Sequence, residues 1–382
     1  MNEPLYLDYN ATTPIAAEVL EAMAPFLRQH FGNPSSSHPY GRRAAEAVAN
    51  ARMAVASLLG AQADEIVFTG CATESNNLAL RGVARALRHK GRHIITSSIE
   101  HPSVTAPLER LREEAYEVTV LAVDAHARVS PQALQDALRR DTILVSIMHA
   151  NNEVGTLQPI AELSAIARAR GVLFHTDAAQ SVGKLPVSVD ALGIDLLTIA
   201  GHKFYAPKGI GALYVRRKTP LLPVLAGADQ EHGLRPGTEN VPYIVALGAA
   251  ADLARERLPA LSFRLRALQD ALYARLTDGI PGLQLNGHPE HRLPNTLNIS
   301  IPKVSGRRLL AEIPEIAASV GSACHEAGQA VSGVLAAMGL DADRARGAVR
   351  LSLGAATTED DIRRVAALLI AASERLATTG RY

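Results

Sequence analysis

Alternation of two kinds of segment constrains this chain most. Short apolar, β-branched runs occur at residues 65–68, 93–97, 143–148, 172–174, 196–199 and 211–215. Between several of them lie Ala-rich stretches, such as 76–89 and 160–170, with apolar residues at helical spacing. A strand that is apolar along its whole length needs cover on both faces. Helices inserted between such strands supply that cover and bring the strands together in parallel. The pattern predicts an α/β fold, a mainly parallel central sheet with helices on both faces.

The pattern changes after about residue 250. Residues 250–279 read as one long helix with a single internal proline, Pro259, followed by turn-rich 281–294 and a strand at 296–301. A closing helix is expected at 359–377, and the whole region reads as a second, smaller α+β domain. The length of 382 residues is ample for two domains. A net charge of +1 gives no overall field to attract nucleic acid or an anionic membrane. Trp is absent and aromatics are few, which leaves no stacking platform for single strands. No run approaches the roughly 20 apolar residues of a membrane helix. The opening residues lack the basic start and apolar stretch of a signal peptide. Two cysteines, Cys71 and Cys324, cannot make a disulfide framework in a chain of this size. These features predict a cytoplasmic enzyme with no membrane and no direct nucleic-acid partner.

Polar residues gather where strands end. The run 93–97 leads into Glu100 and His101, and 143–148 into His149, Asn151, Asn152 and Glu153. The run 172–174 leads into His175, Asp177 and Gln180, and 196–199 into His202 and Lys203. Ligands of open α/β sheets bind at the carboxyl ends of strands, so four such clusters converge on one rim. Lys203 has glycine or apolar residues around it. A lysine there is either an ordinary solvated loop residue or a desolvated, nucleophilic amine suited to a Schiff base. Asp177 is a turn residue or, beside such a lysine, a carboxylate able to keep a pyridine nitrogen protonated.

Gly70-Cys71-Ala72-Thr73-Glu74-Ser75 lies between a strand and a helix expected to start near Asn76. Its backbone N–H groups make a phosphate cradle, or Thr73 simply caps the helix. Cys71 is expected to pack behind this loop without chemistry. Cys324 sits in Gly321-Ser322-Ala323-Cys324-His325, where small flanking residues argue for an exposed loop over an inert core position, and His325 favours the thiolate. Ser332 is expected to cap a helix running through Val334 to Met338. Arg350 lies mid-strand among apolar residues, either in a surface ion pair or as a buried guanidinium waiting for a carboxylate.

Motifs along nearly the whole chain resemble the cysteine desulfurase branch of the class V aminotransferase-like enzymes. They include Asp8-Tyr9-Asn10-Ala11-Thr12-Thr13-Pro14, Ala72-Thr73-Glu74-Ser75-Asn76-Asn77, Glu100-His101 and Asn151-Asn152-Glu153-Val154-Gly155. Asp177-Ala178-Ala179-Gln180, Gly201-His202-Lys203, Arg235-Pro236-Gly237-Thr238-Glu239-Asn240 and Ser322-Ala323-Cys324 follow in the same order. The resemblance implies a fold-type I homodimer with a large domain over 15–250 and a small domain made of 1–14 and 251–382. It implies pyridoxal 5'-phosphate as cofactor, held by Lys203, with His101 stacked on the ring, Asp177 at its nitrogen and Gln180 at its ring oxygen. Ala72, Thr73 and His202 would hold the phosphate, with Thr238 reaching it from the other subunit. Asn152 and Arg350 would bind the carboxylate of L-cysteine. Lys203, His101 and Cys324 would be catalytic, with Cys324 receiving the sulfur as a persulfide and passing it to an acceptor protein. Ala200 stands where many relatives have a hydroxyl residue, and Cys71 where a glycine is usual. Selenocysteine lyases of the same branch share the Ala323-Cys324-His325 pattern, which makes that activity the alternative. A plain aminotransferase would have no task for a loop thiol, and an inert scaffold none for Lys203.

Overall fold

The computed structural model describes residues 3–321 and 332–378, so Cys324 lies outside the described residues. A short first strand, β1 (Leu5–Tyr6), is followed by α1 (Ala17–Arg28) and α2 (Pro39–Leu59). Seven strands then build the main sheet: β2 (Ile66–Thr69), β3 (His93–Ser97), β4 (Glu117–Leu121), β5 (Thr142–Ser146), β6 (Leu173–Asp177), β7 (Leu196–Ala200) and β8 (Gly211–Val215). Their order across the sheet is β2-β8-β7-β6-β5-β3-β4. Helices α3 (Ala72–Leu87) and α4 (Pro102–Glu113) follow β2 and β3.

Burial follows position in the sheet. Every residue of β2, β3, β5, β7 and β8 is buried, whereas β4, at one edge, is open to solvent along its length with only Leu121 buried. The continuous apolar runs are therefore the strands covered on both faces. One apolar cluster, including Ile95, Phe174 and Tyr214, packs with Val55 and Leu59 of α2. Another, including Ile94 and Leu144, packs with Leu80 and Val83 of α3 and Leu108 of α4.

The five strands β4, β3, β5, β6 and β7 run parallel, as the alternation predicts. β8 runs antiparallel to both β7 and β2. The connection 201–210 between β7 and β8 is too short to carry a helix and return the chain in parallel. Two helices begin earlier than their periodicity implies. α3 starts at Ala72, because its first turn is small and polar and shows no apolar stripe. The long helix spans Val241–Gly279; Asn240 caps it and Pro242 occupies its first turn. Its early residues, such as Leu247 and Ala250, pack in the main core, and Leu265, Leu272 and Leu276 pack in a second one.

That second core lies under an antiparallel sheet of β9 (Gln284–Asn286), β10 (Thr296–Ser300) and β12 (Ala348–Ser352), in the order β12-β10-β9. β11 (Ile316–Ala317) pairs in parallel with β1, and Leu7 joins the second core beside Leu297 and Leu351. The helix Glu359–Thr378 closes it, matching the expected closing helix. Ser332 caps the helix Gly333–Ala337, accepting from Val334 N and Leu335 N, as expected. No helix among the described residues is long and apolar enough to cross a membrane.

Candidate active site

The carboxyl ends of β2, β3, β5, β6 and β7 open on one cavity of about 260 Å³, which Arg350 of β12 and the Asn10-Ala11 backbone also line. Lys203 follows β7 in the tight turn Gly201–Lys203. Its Nζ donates to Asn10 O at 2.6 Å and Ala11 O at 2.8 Å, so the amine is held at the cavity wall by carbonyls of the N-terminal segment. His202 places Nδ1 3.1 Å from Thr12 Oγ1. Burial, with Lys203, Lys208 and Lys184 nearby, pushes its ring down to about 4, so it is neutral at pH 7.

Asp177 ends β6 and is buried. Its Oδ2 accepts from Asn76 Nδ2 at 2.8 Å and its Oδ1 from Ala179 N at 2.9 Å. Both donors are neutral, so the carboxylate presents its charge to the cavity it lines. His101 is the N-cap of α4, and its Nδ1 accepts from Ser103 N at 3.1 Å. A neutral ring with Nδ1 accepting carries its proton on Nε2. Gln180 donates from Nε2 to Asn10 O at 3.0 Å.

At the start of α3, Cys71 is the N-cap in an extended conformation and makes no side-chain cap bond. The first N–H groups of the helix, those of Ala72 and Thr73, have no partner within it and belong to residues lining the cavity. Cys71 itself differs from expectation: it is exposed and lines the cavity mouth rather than packing behind the loop. The loop is fastened by Glu74, which accepts from Gly70 N at 2.6 Å and Arg235 Nε at 2.8 Å.

Arg350 resolves its two alternatives at 1% exposure: it is a buried guanidinium. Nη2 donates to Asp8 Oδ1 at 2.6 Å and Nη1 to Asn152 O at 3.1 Å, while Nε is buried with no hydrogen-bond partner. Asn152 spends its carbonyl on Arg350 and on Asn10 Nδ2 at 3.2 Å and lines the cavity. Ala200 sets a methyl group on the wall at the end of β7.

The fold thus brings together Ala72, Thr73, His101, Asn152, Asp177, Gln180, His202, Lys203 and Arg350. It does not bring in Thr238, which is exposed and away from this cavity. Sequence reasoning gave no role to Asn10, Asn76 and Glu100, although it quoted all three within motifs, and it passed over Lys184. Glu100 is buried, and its Oε1 accepts from Ser97 Oγ at 2.5 Å and Met148 N at 3.0 Å. Burial pushes its carboxyl up to about 8. The signal for Asn76 was its place in the first turns of a helix that faces the rim. Asn10 gave no local signal, because its partners come from five distant segments, around 152, 180–184, 203, 295–296 and 352.

The aminotransferase class-V family model matches residues 5–365. A cysteine desulfurase IscS of Dictyoglomus turgidum is 46% identical over 384 residues, covering 100% of this chain and 98% of the relative. A cysteine desulfurase IscS of Serratia proteamaculans is 47% identical over 368 residues, covering 95% of this chain and 91% of the relative. Among solved structures, a NifS-like protein matches with a TM-score of 0.91 at 37% identity, over 98% of this chain and 100% of that one. A structure described as SspA in complex with cysteine matches with a TM-score of 0.82 at 39% identity, over 91% of this chain and 98% of that one. A lysine, an aspartate and a helix N-terminus on one rim, in a chain alike from end to end to these proteins, place it in the aminotransferase class-V family, in its cysteine desulfurase branch.

Proposed function

We propose that the protein is a pyridoxal-phosphate-dependent cysteine desulfurase, converting L-cysteine to L-alanine and leaving a persulfide on Cys324 for a sulfur-acceptor protein. The observation that carries this reading is the single cavity shared by Lys203 Nζ, the Asp177 carboxylate and the unpaired N–H groups that begin α3. That set fits a pyridine ring bearing an aldehyde and a phosphate: an amine for the aldehyde carbon, a carboxylate with only neutral partners for the ring nitrogen, and helix-terminal donors for the dianion.

Lys203 would hold the aldehyde carbon, Asp177 the ring nitrogen and Gln180 the ring oxygen through Nε2. His101 would lie against the ring face. The N–H groups of Ala72 and Thr73, with neutral His202, would hold the phosphate, and Thr238 would add a contact from a second subunit of a homodimer. Bound there, the group supplies an electron sink for the pair released when the substrate Cα–H bond breaks. Arg350, with its unpaired Nε, and Asn152 bind the substrate carboxylate and set the Cα–H bond toward Lys203. Lys203 Nζ takes the Cα proton, and His101 Nε2 moves protons at the substrate sulfur. The sulfur step forms an S–S bond to Cys324 and breaks the substrate Cβ–S bond, whose electron pair stays with carbon. L-cysteine and a thiol thus become L-alanine and a persulfide with no external oxidant. The role of Cys324, outside the described residues, rests on the Ser322-Ala323-Cys324 motif. The division into 15–250 and 1–14 with 251–382 is supported by Leu7 packing among residues of 265–376. The scarcity of cysteines supports work in the cytoplasm.

The test is an absorbance spectrum of the pure protein before and after L-cysteine, with alanine and sulfide assayed together. Cys324→Ser is expected to keep the cofactor absorbance and lose persulfide formation. Lys203→Ala is expected to lose the absorbance of the bound aldehyde. Full turnover in either variant, or turnover of selenocysteine with none of cysteine, would overturn the proposal.

A further inference from the structure

Lys184 is buried, at 7% exposure, four residues after Gln180 in the irregular segment that follows β6, and the catalytic reading gives it no task. It forms no salt bridge among the described residues. Its Nζ lies 2.7 Å from Gln180 Oε1 and 2.9 Å from Asn10 Oδ1. An ammonium has donors and no acceptor, so the atoms it meets must be oxygens. This decides which way two amides face. Gln180 turns its oxygen to Lys184 and its nitrogen to Asn10 O, at 3.0 Å. Asn10 turns its oxygen to Lys184 and to Asn295 Nδ2, at 3.1 Å, and its nitrogen to Asn152 O and Thr296 Oγ1.

A reversed Gln180 would set nitrogen against Nζ and oxygen against the Asn10 carbonyl, a donor facing a donor and an acceptor facing an acceptor. The same Asn10 carbonyl receives Lys203 Nζ at 2.6 Å, so the orientation of Gln180 is settled beside the reactive amine. Burial, with Lys203 and Arg350 nearby, holds the Lys184 pKa well below its ordinary value. A neutral amine still has two N–H groups for the two amide oxygens; its lone pair could accept from a reversed Gln180, but the reversed oxygen would then face the Asn10 carbonyl, which only accepts, so the same orientation is favoured in either protonation state.

We propose that Lys184 is a positioning residue: it locks the Gln180 amide with its nitrogen toward the cavity, so that an N–H is always presented to the ring oxygen of the cofactor. This rests on the pyridoxal phosphate reading above and adds to it a residue that touches neither cofactor nor substrate.

The test is a double-mutant cycle on the full chain stripped of cofactor, reading the dissociation constant for pyridoxal phosphate and the position of the visible band of the Lys203-bound form. Lys184→Met and Gln180→Leu are each expected to weaken binding about tenfold, the loss of one hydrogen bond to a charged oxygen, and to move the band the same way. In the double variant the second change is expected to add nothing, because Lys184 acts only through Gln180. Additive losses, or a Lys184→Met protein that binds and absorbs like wild type, overturn the inference. Should Lys184→Met fail to fold, Lys184→Gln keeps a donor and is expected to fall between wild type and Gln180→Leu; a value at or beyond Gln180→Leu overturns it. Wild-type protein that binds no pyridoxal phosphate overturns the cofactor reading itself, an outcome distinct from failure of the cycle alone.

Discussion

Arg350 carries its charge into the middle of a strand at 1% exposure, with one carboxylate partner and a buried Nε that bonds to nothing. An unmade hydrogen bond at a buried donor costs about 1–3 kcal/mol, and a substrate carboxylate bound at this guanidinium, as proposed above, would offset that cost. A lysine in its place keeps the charge and loses the planar fork that reaches Asp8 and Asn152 together. Arg350→Lys is therefore expected to raise KM for L-cysteine about tenfold or more while leaving the cofactor absorbance unchanged. Steady-state alanine production and a spectrum check both halves. An altered spectrum with unchanged KM would place the guanidinium at the cofactor instead.

Among the elements, α3 does the most for the site with the least sequence signature. Its N-cap is a cysteine that caps nothing, and Glu74 in its first turn turns back to bond Gly70 N. What remains at the helix start is a set of bare N–H groups facing the cavity, where the helix dipole also favours an anion. Ala72 occupies the first helical position, where proline is well tolerated, and the extended Cys71 before it suits a following proline. Ala72→Pro is expected to keep the helix and the thermal midpoint while removing one N–H, weakening pyridoxal phosphate binding about tenfold. Equilibrium titration of the stripped protein, with circular dichroism as control, measures it. Unchanged affinity would mean that the phosphate is held elsewhere.

Across the whole molecule, burial of ionisable groups around the rim ties stability to pH. His149, His175 and His202 are each pushed down to about 4, burial being the first cause in every case, from an ordinary value of 6.5. Between those values the unfolded chain binds more protons than the folded one, so their contribution is lost as pH falls from 6.5 toward 4. Glu100 acts in the opposite sense. Its carboxyl is raised from 4.5 to about 8, so its contribution is full below 4.5 and is lost as pH rises through 8. Three such groups against one are expected to lower the midpoint of wild-type unfolding on acidification through that window. Glu100→Gln removes the opposing group. Its Tm relative to wild type is expected to rise steadily from about pH 5 to about pH 8.5. Calorimetry across that range checks both, and a difference independent of pH would show that Glu100 is charged in the folded protein.

The strands that end at 97, 146, 177 and 200 could be located in the chain to within about three residues, because an apolar run and the polar residues that follow it are neighbours in sequence; Asp177, read as following its strand, is the last residue of it. The order of runs shows which residues follow a strand's carboxyl end, and that was enough to put His101, Asp177 and Lys203 on one rim. It says nothing of partners that arrive from other elements. Arg350 meets Asp8 across 342 positions, and Lys184 meets Asn10 across 174. Such pairs exist only once β1 and the second sheet have packed against the first. The sequence by itself therefore determined the layered fold and the chemical types gathered on the rim. Only the tertiary structure decided which buried amide faces which way, which guanidinium is left with a free donor, and that the segment around Asn10 closes the site.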